Sequence, residues 1–267
     1  MAPNTFWKGY LKLSLVTCPV AMVPAVTESE KVRFHTLNRA TGHRVESRYV
    51  DVETGRPVAP EDEAKGYETG PDEYVLLEED ELQSVALESA RTIDIDMFVP
   101  AESIGWIWYD RPHYLVPDDE VGEEAFAVIR DAMSATGMVG ISRIVLYRRE
   151  RAVMLQPRDR GIVVWTLRYG DEVRSPEAYF GELDTGKPDR KQLALITRLI
   201  EERTERWDPG MAHDPVQDRL LQIIEAKKKG RRPAKRRQPA AEPRGQVVNI
   251  MDALRRSIAA ESGRKGR

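Results

Sequence analysis

A single cysteine, Cys18, stands in 267 residues. That excludes an intrachain disulfide and the familiar cysteine-rich zinc spacings, and it fits a reducing compartment. With no histidine near it in sequence, Cys18 reads as a small buried residue rather than a nucleophile. Histidine is almost as scarce: His35, His43, His113 and His213 do not form an HExxH pair. The chain has no GxxxxGKS/T phosphate loop, no GxGxxG turn and no GxSxG elbow, so the common signatures of nucleotide hydrolysis, dinucleotide binding and serine hydrolysis are missing. Long apolar runs are missing too. None approaches the roughly 20 residues that span a bilayer, and the opening MAPNTFWKGYLKLSL has no charged segment followed by a long apolar one. A soluble, cytoplasmic protein with no membrane partner is the expectation.

What is present is charge, unevenly placed. Residues 1–226 carry 27 Lys/Arg against 41 Asp/Glu, a net of -14, while residues 227–267 carry 14 against 3, a net of +11. Residues 51–126 alone hold 22 acidic and 4 basic side chains. An acidic body with a basic tail points to a polyanion as partner. Two carboxylate groups, Asp94/Asp96 and Asp118/Asp119/Glu120, have the composition of Mg²⁺ ligands, but a solvated strand face and an acidic helix start account for them better. No metal and no cofactor are expected, and a binding protein is favoured over an enzyme.

Strand patterns dominate the first 170 residues. Trp7–Val16 alternates, with Trp7, Gly9, Leu11, Leu13 and Leu15 on one face, and Pro19 should limit the pairing beyond it. Arg91–Val99 alternates as well. Trp106–Tyr109 and His113–Val116 flank Asp110-Arg111-Pro112 like the arms of a hairpin. Met138–Arg149, Ala152–Gln156 and Ile162–Tyr169 are further strands. Helices are expected at Glu79–Leu87 and at Glu123–Thr136, the latter capped by Gly137. The absence of βαβ alternation excludes a doubly wound sheet, leaving a mainly β fold with some α. Near Gly186 the texture turns helical. Asp189 and Gln192 resemble a capping box for a helix carrying Leu193, Ile196, Leu199 and Ile200 to Trp207. Asp214-Pro215 opens a second helix, with Leu220 and Ile224 on its stripe, that ends at Gly230. Residues 230–246 read as a flexible basic linker. In residues 247–267 a short amphipathic helix presents Ile250, Met251 and Leu254, a face that needs a partner.

The basic residues form three groups. Lys227, Lys228, Lys229, Arg231, Arg232, Lys235, Arg236 and Arg237 make a run without acids, suited to phosphate contact by counterion release but unable to read base sequence. Arg143, Arg148, Arg149, Arg151, Arg158, Arg160 and Arg168 lie on or beside strands. Along Ile141–Arg149 the alternate residues Ile141, Arg143, Val145, Tyr147 and Arg149 make a mixed face. These arginines either meet phosphate or pair with the acidic segment 51–126; the sequence leaves both open. Lys31, Arg33, Arg39, Arg44 and Arg48 form the third group.

The motifs then converge on a family. W-K-G-x-L-x-x-x-L-V-x-x-P-V at Trp7–Val20 resembles the opening strand of the bacterial Ku proteins. K-G-Y-E at Lys65–Glu68, Y-V-x-L at Tyr74–Leu77, I-D-I-D-x-F-V at Ile93–Val99, H-Y-L-V-P-D at His113–Asp118 and G-M-V-G-I-S-R at Gly137–Arg143 follow in that family's order. The resemblance implies a homodimeric ring built on β-barrels that threads double-stranded DNA ends without sequence preference. It also implies recruitment of the ATP-dependent ligase D, through its polymerase domain, for non-homologous end joining near the bacterial nucleoid. It places the barrel and DNA-encircling core in residues 1–186 and the ligase-contacting helical arm in 187–229. Lys31, Arg33, Arg44, Arg48, Arg111, Arg143, Arg148, Arg149 and Arg151 are the implied ring-lining residues. Leu193, Ile196, Leu220, Ile224, Ile250, Met251 and Leu254 are the candidate partner-binding residues. Two other functions stay open at this point: a β-barrel adaptor docking a partner through its terminal helix, and a lyase activity at abasic ends through Lys8 or Lys31.

Overall fold

The computed structural model describes residues 5–27, 31–85, 91–183, 186–187 and 189–230. The chain divides into two compact units, one formed by residues up to Glu30 with His35–Ser175, the other by Lys31–Phe34 with the chain from Pro176 onward.

In the first unit the N-terminal alternation makes a hairpin rather than one strand. β1 (Trp7–Leu13) pairs antiparallel with β2 (Val16–Pro24). The chain reverses at Ser14-Leu15, with Ser14 in the left-handed region at φ 56°, so Leu15 is exposed at the turn tip instead of buried. Pro19 lies inside β2, opposite Tyr10, and its carbonyl accepts from the Asp118 N–H at 3.1 Å. A strand tolerates proline where no partner carbonyl needs its missing N–H. After a separate two-stranded hairpin, β3 (Lys65–Gly70) and β4 (Glu73–Leu77), and the short helix α1 (Glu79–Ser84), the chain re-enters the main sheet. It adds β5 (Thr92–Pro100), β6 (Tyr109–Pro117), helix α2 (Glu120–Thr136), β7 (Met138–Leu146), β8 (Arg149–Arg158) and β9 (Gly161–Leu167).

The seven strands β1-β2-β6-β9-β8-β7-β5 close into a barrel, sealed by a parallel pairing of β1 with β5. Period-2 alternation sends Leu11, Val20, Ile93, Leu115, Ile144, Val153, Leu155, Ile162 and Val164 into a common core. Each buried side chain of this size stabilises the fold by about 1.5–3 kcal/mol. The hairpin expected around Asp110-Arg111-Pro112 does not form. Trp106–Trp108 is a 3₁₀ turn, and Asp110-Arg111-Pro112 lies within β6. The ladder shifts register between Tyr109 and Pro112, an irregularity that fits a residue unable to donate to its neighbour.

Helix α2 closes one end of the barrel. Asp119 caps it by accepting from the Gly122 N–H at 2.7 Å, so the helix starts at Glu120, ahead of the expected Glu123. Gly137, at φ 66°, ends it, as the sequence indicated. Its buried Phe126, Ile129 and Met133 join the barrel core, and it touches β2, β6, β7, β8 and β9. The opposite end has no such lid among the described residues. That end gathers Phe6, Pro24, β6 around Arg111 and the β7–β8 turn.

Residues 35–58 form two look-alike turns. A bridge pairs Leu37 with Arg44, and another pairs Val50 with Pro57. Inside each, an Asx side chain accepts from a backbone N–H two residues on (Asn38 from Ala40, Asp51 from Glu53), and a glycine sits at positive φ (Gly42, Gly55). Hydrogen bonds from Thr54 hold the Asp51 carboxyl below its ordinary range.

The second unit contains α3 (Glu177–Phe180), α4 (Arg190–Arg203) and α5 (Pro215–Lys228). Asp189 caps α4 by accepting from the Lys191 and Gln192 N–H groups at 2.9 and 3.0 Å. The helix ends at Arg203, short of Trp207, which is exposed. Asp214 caps α5, with Pro215 in its first turn, as expected. No residue of α3, α4 or α5 is buried, so these amphipathic stripes have no closed core of their own. Val32 joins this unit by donating its N–H to Gln217 Oε1 at 3.4 Å.

Candidate nucleic-acid interface

The open barrel end carries the densest group of the candidate arginines. A cleft of ≈ 780 Å³ is lined by Arg111 from β6 and by Arg149 and Arg151 from β8, together with Phe6, His113, Tyr147 and Thr166. Arg148 is its neighbour, in the two-residue turn that joins β7 to β8. Among the described residues, no ion pair involves Arg111, Arg148, Arg149 or Arg151. Arg151 is steadied without being neutralised: its guanidinium lies 4.8 Å from the Tyr169 ring centroid. The Tyr169 hydroxyl in turn donates to the Glu150 carbonyl at 2.6 Å.

Three acids of segment 51–126 pair with other cations. Asp118 accepts from Lys8 at 2.7 Å, Asp94 from Lys12 at 2.6 Å, and Asp110, itself at the cleft, pairs with Arg168 at 3.5 Å. Of the two readings open for the strand arginines, pairing with that segment therefore applies to Arg168 and not to the cleft group. Arg143 stands apart, exposed and paired with Glu150 at 2.9 Å. It shares the mixed outer face with Ile141 and Val145, which are only half-buried, whereas Ser142, Ile144 and Leu146 face the core.

The remaining candidates are more scattered. Arg44, at the close of the first look-alike turn, and Arg48, between the two, are exposed; Arg44 contacts His35 Nδ1 at 3.0 Å, and Arg48 lies 3.7 Å from Glu46. Lys31 and Arg33 belong to the second unit. Lys227, Lys228 and Lys229 end α5, where Lys228 and Lys229 reach Glu225. On α4 and α5, Leu193 and Ile196 are exposed and Leu220 and Ile224 half-buried, and a groove of ≈ 420 Å³ lies against Pro215, Val216, Arg219 and Leu220. Arg231, Arg232, Lys235, Arg236, Arg237, Ile250, Met251 and Leu254 lie outside the described residues.

Among the described residues no group of His, Cys, Asp and Glu has a metal-binding arrangement. Lys8 is exposed and donates to both Asp118 oxygens, 2.7 and 2.9 Å away, the reverse of the desolvated amine that lyase chemistry requires. The Cys18 thiol is buried, and desolvation together with the Asp119 charge pushes its pKa up, away from nucleophilic character. No helix of the described residues is long and apolar enough to cross a membrane.

Three cleft residues went unnoticed in the sequence as site components: Phe6, His113 and Tyr147. Phe6 stacks on His113 with ring centroids 5.4 Å apart and meets Tyr147 at 5.6 Å. His113 is 7% exposed, and its Nδ1 has no hydrogen-bond partner among the described residues. Burial pushes the His113 pKa below its ordinary value, against the opposing pull of the Arg111 and Val164 backbone. The one available signal was Tyr147 on the mixed face beside consecutive arginines.

Comparison with known proteins agrees with this fold. The family model described as the Ku70/Ku80 beta-barrel domain matches residues 12–195. A protein of Methylocella silvestris named "Non-homologous end joining protein Ku" is 63% identical over 97% of this chain and 96% of its own length. Proteins of the same name from Gluconacetobacter diazotrophicus and Allorhizobium ampelinum are 59% and 55% identical, with coverage of 97% and 98% of this chain and 98% and 97% of theirs.

Proposed function

The chain belongs to the Ku β-barrel family, and on that premise we propose that it binds the ends of double-stranded DNA, without sequence preference, as a homodimeric ring in non-homologous end joining. The observation that carries this reading is the cluster Arg111, Arg148, Arg149 and Arg151, grouped at one barrel end without ion pairs among the described residues. A protein whose first 226 residues total -14 otherwise repels a phosphate backbone. Unneutralised arginines in one place give it a surface on which phosphates exchange counterions for guanidinium groups. Phosphate contacts position a duplex without reading its bases, as a factor acting on arbitrary break ends requires. Two-fold symmetry doubles each contact. In the proposed ring Arg44 and Arg48 of the first unit, and Lys31 and Arg33 of the second, are further DNA-contacting residues.

In this reading the second unit recruits ligase D through its polymerase domain, using Leu193, Ile196, Leu220 and Ile224. Stripes with no buried residue suit a docking role. The basic run from Lys227 to Arg237 adds sequence-independent affinity and keeps the ring on DNA. No step requires a catalytic group, and the site of action is the cytoplasm, at the nucleoid.

The test compares binding to a linear duplex with binding to a covalently closed circle of the same sequence, both at physiological salt. The proposal expects strong preference for the linear form. Equal affinity for both refutes end-dependent loading and leaves only electrostatic adsorption.

A further inference from the structure

The open barrel end has more chemistry than a duplex backbone uses. Three rings cross it in series: Tyr147, Phe6 and His113. Tyr147 is 78% exposed, so most of its surface is unoccupied. The cleft beside the rings holds Arg111, Arg149 and Arg151, and the single carboxylate lining it among the described residues, Asp110, is already turned to Arg168 and to the Thr166 hydroxyl. His113, which also lines the cleft, is more than nine-tenths buried, with Nδ1 unpartnered among the described residues. A buried polar nitrogen without a partner carries a desolvation cost that a ligand group can relieve.

The turn that carries Tyr147 supports a functional origin. Tyr147 and Arg148 lie at φ 52° and 62°, both in the left-handed region. Two-residue hairpin loops of this kind normally use Asn-Gly, because most side chains other than the short polar Asn and Asp are strained there. Neither residue is buried, so core packing does not demand them. Ser14, Asp72 and Asp159 in other turns share this backbone; what is particular to the β7–β8 turn is that it keeps a large aromatic and an arginine there, both exposed.

A flat exposed ring beside unneutralised guanidinium groups matches one ligand chemistry: a nucleobase for the ring and its phosphate for the arginines. Within a duplex both faces of each base are covered and a terminal pair frees only one while staying paired, so an unpaired base is the one free to turn into a pocket. We infer that the open barrel end is a stacking pocket for one unpaired nucleotide, held by Tyr147 and Phe6 through its base and by Arg111, Arg149 and Arg151 through its phosphate. The ligand is a nucleobase with its phosphate, supplied by a single-stranded overhang or as a free nucleotide. On this basis the protein distinguishes an overhanging end from a blunt one. The inference deepens the end-binding reading above, and the experiment separates the two.

The full-length protein is titrated into three probes: a duplex with 2-aminopurine in a short single-stranded overhang, a blunt duplex with 2-aminopurine in the interior, and free 2-aminopurine nucleoside monophosphate. Quenching of the overhang probe, or of the free nucleotide, supports the pocket and identifies the source of its ligand. Tyr147→Asn, which suits a left-handed position, then lowers overhang affinity roughly tenfold, as expected for one lost base–aromatic stack, and lowers blunt-duplex affinity by less. Absence of quenching in both unpaired probes overturns the inference, as does an unchanged response in Tyr147→Asn. Failure of the wild-type protein to bind the blunt duplex counts instead against end binding.

Discussion

Replacing Tyr147-Arg148 by Asn-Gly should stabilise the fold while weakening its grip on DNA. Both residues occupy left-handed backbone, at φ 52° and 62°. That conformation costs an ordinary L-residue about 1–2 kcal/mol, so relief at two positions offers about 2–4 kcal/mol. Two losses oppose it. Glycine in place of Arg148 adds unfolded-state entropy worth about 0.5–1 kcal/mol. The contact between the Tyr147 and Phe6 rings, at 5.6 Å, is worth about 0.5–1.5 kcal/mol. The balance is a gain of about 1 kcal/mol, or a rise in Tm of roughly 2–4 °C for a domain of this size. Thermal unfolding followed by circular dichroism, on wild type and the double variant side by side, reads this directly. An unchanged or lower Tm refutes the strain argument and removes one support for a functional role of the turn.

Other outcomes follow from the same structure. Gly9→Ala should lower stability by about 2–3 kcal/mol through overpacking, because an added Cβ collides with the Arg91 carbonyl and the Trp7 ring where β1 meets β5; denaturant unfolding measures it. His113 should make stability fall in mild acid. Its folded-state pKa is depressed by burial, with Arg111 adding to the shift and Asp110 opposing it, so the unfolded chain takes up the proton first. The contribution is therefore complete above the unfolded histidine value, about 6.5, and is lost as pH falls from there through the folded value. His113→Phe should flatten that part of the profile, and an unchanged slope would assign it to other groups. Cys18 should resist thiol reagents in the native protein and react on unfolding, because it is buried with a raised pKa; rapid native labelling contradicts the placement. Deleting residues 227–267, which carry +11, should leave end binding intact with a shallower salt dependence, and complete loss of binding would make the tail the site itself.

Strand content, α2 with its Gly137 cap, and the starts of α4 and α5 were legible because each has a local cause. Alternation marks a half-buried strand, and Asp119, Gly137, Asp189 and Asp214 act on backbone groups within a few residues of themselves. Features fixed by distant partners were not legible. The reversal at Ser14-Leu15 lacks glycine, asparagine and proline, and the pairing of β1 with β2 decides it. Asp110-Arg111-Pro112 has the composition of a turn, yet β9 holds it in a strand by letting the register slip. The hairpin of β3 and β4 stands outside the barrel, and its sequence was noticed only as a motif. The arginines were visible as residues, but their grouping was not. Arg111 and Arg149 come together because β6 and β8 are both neighbours of β9 in the closed sheet, a relation that no window along the chain contains. The stack of Phe6, His113 and Tyr147 depends on the same closure.

The central claim is that DNA enters from an end and is then encircled. The protein is loaded onto a linear duplex, both ends are blocked with bulky adducts, and the complex is challenged with high salt and excess competitor DNA. Encirclement predicts that protein loaded before blocking is retained and that protein added after blocking does not load. Equal release from blocked and open duplexes contradicts it.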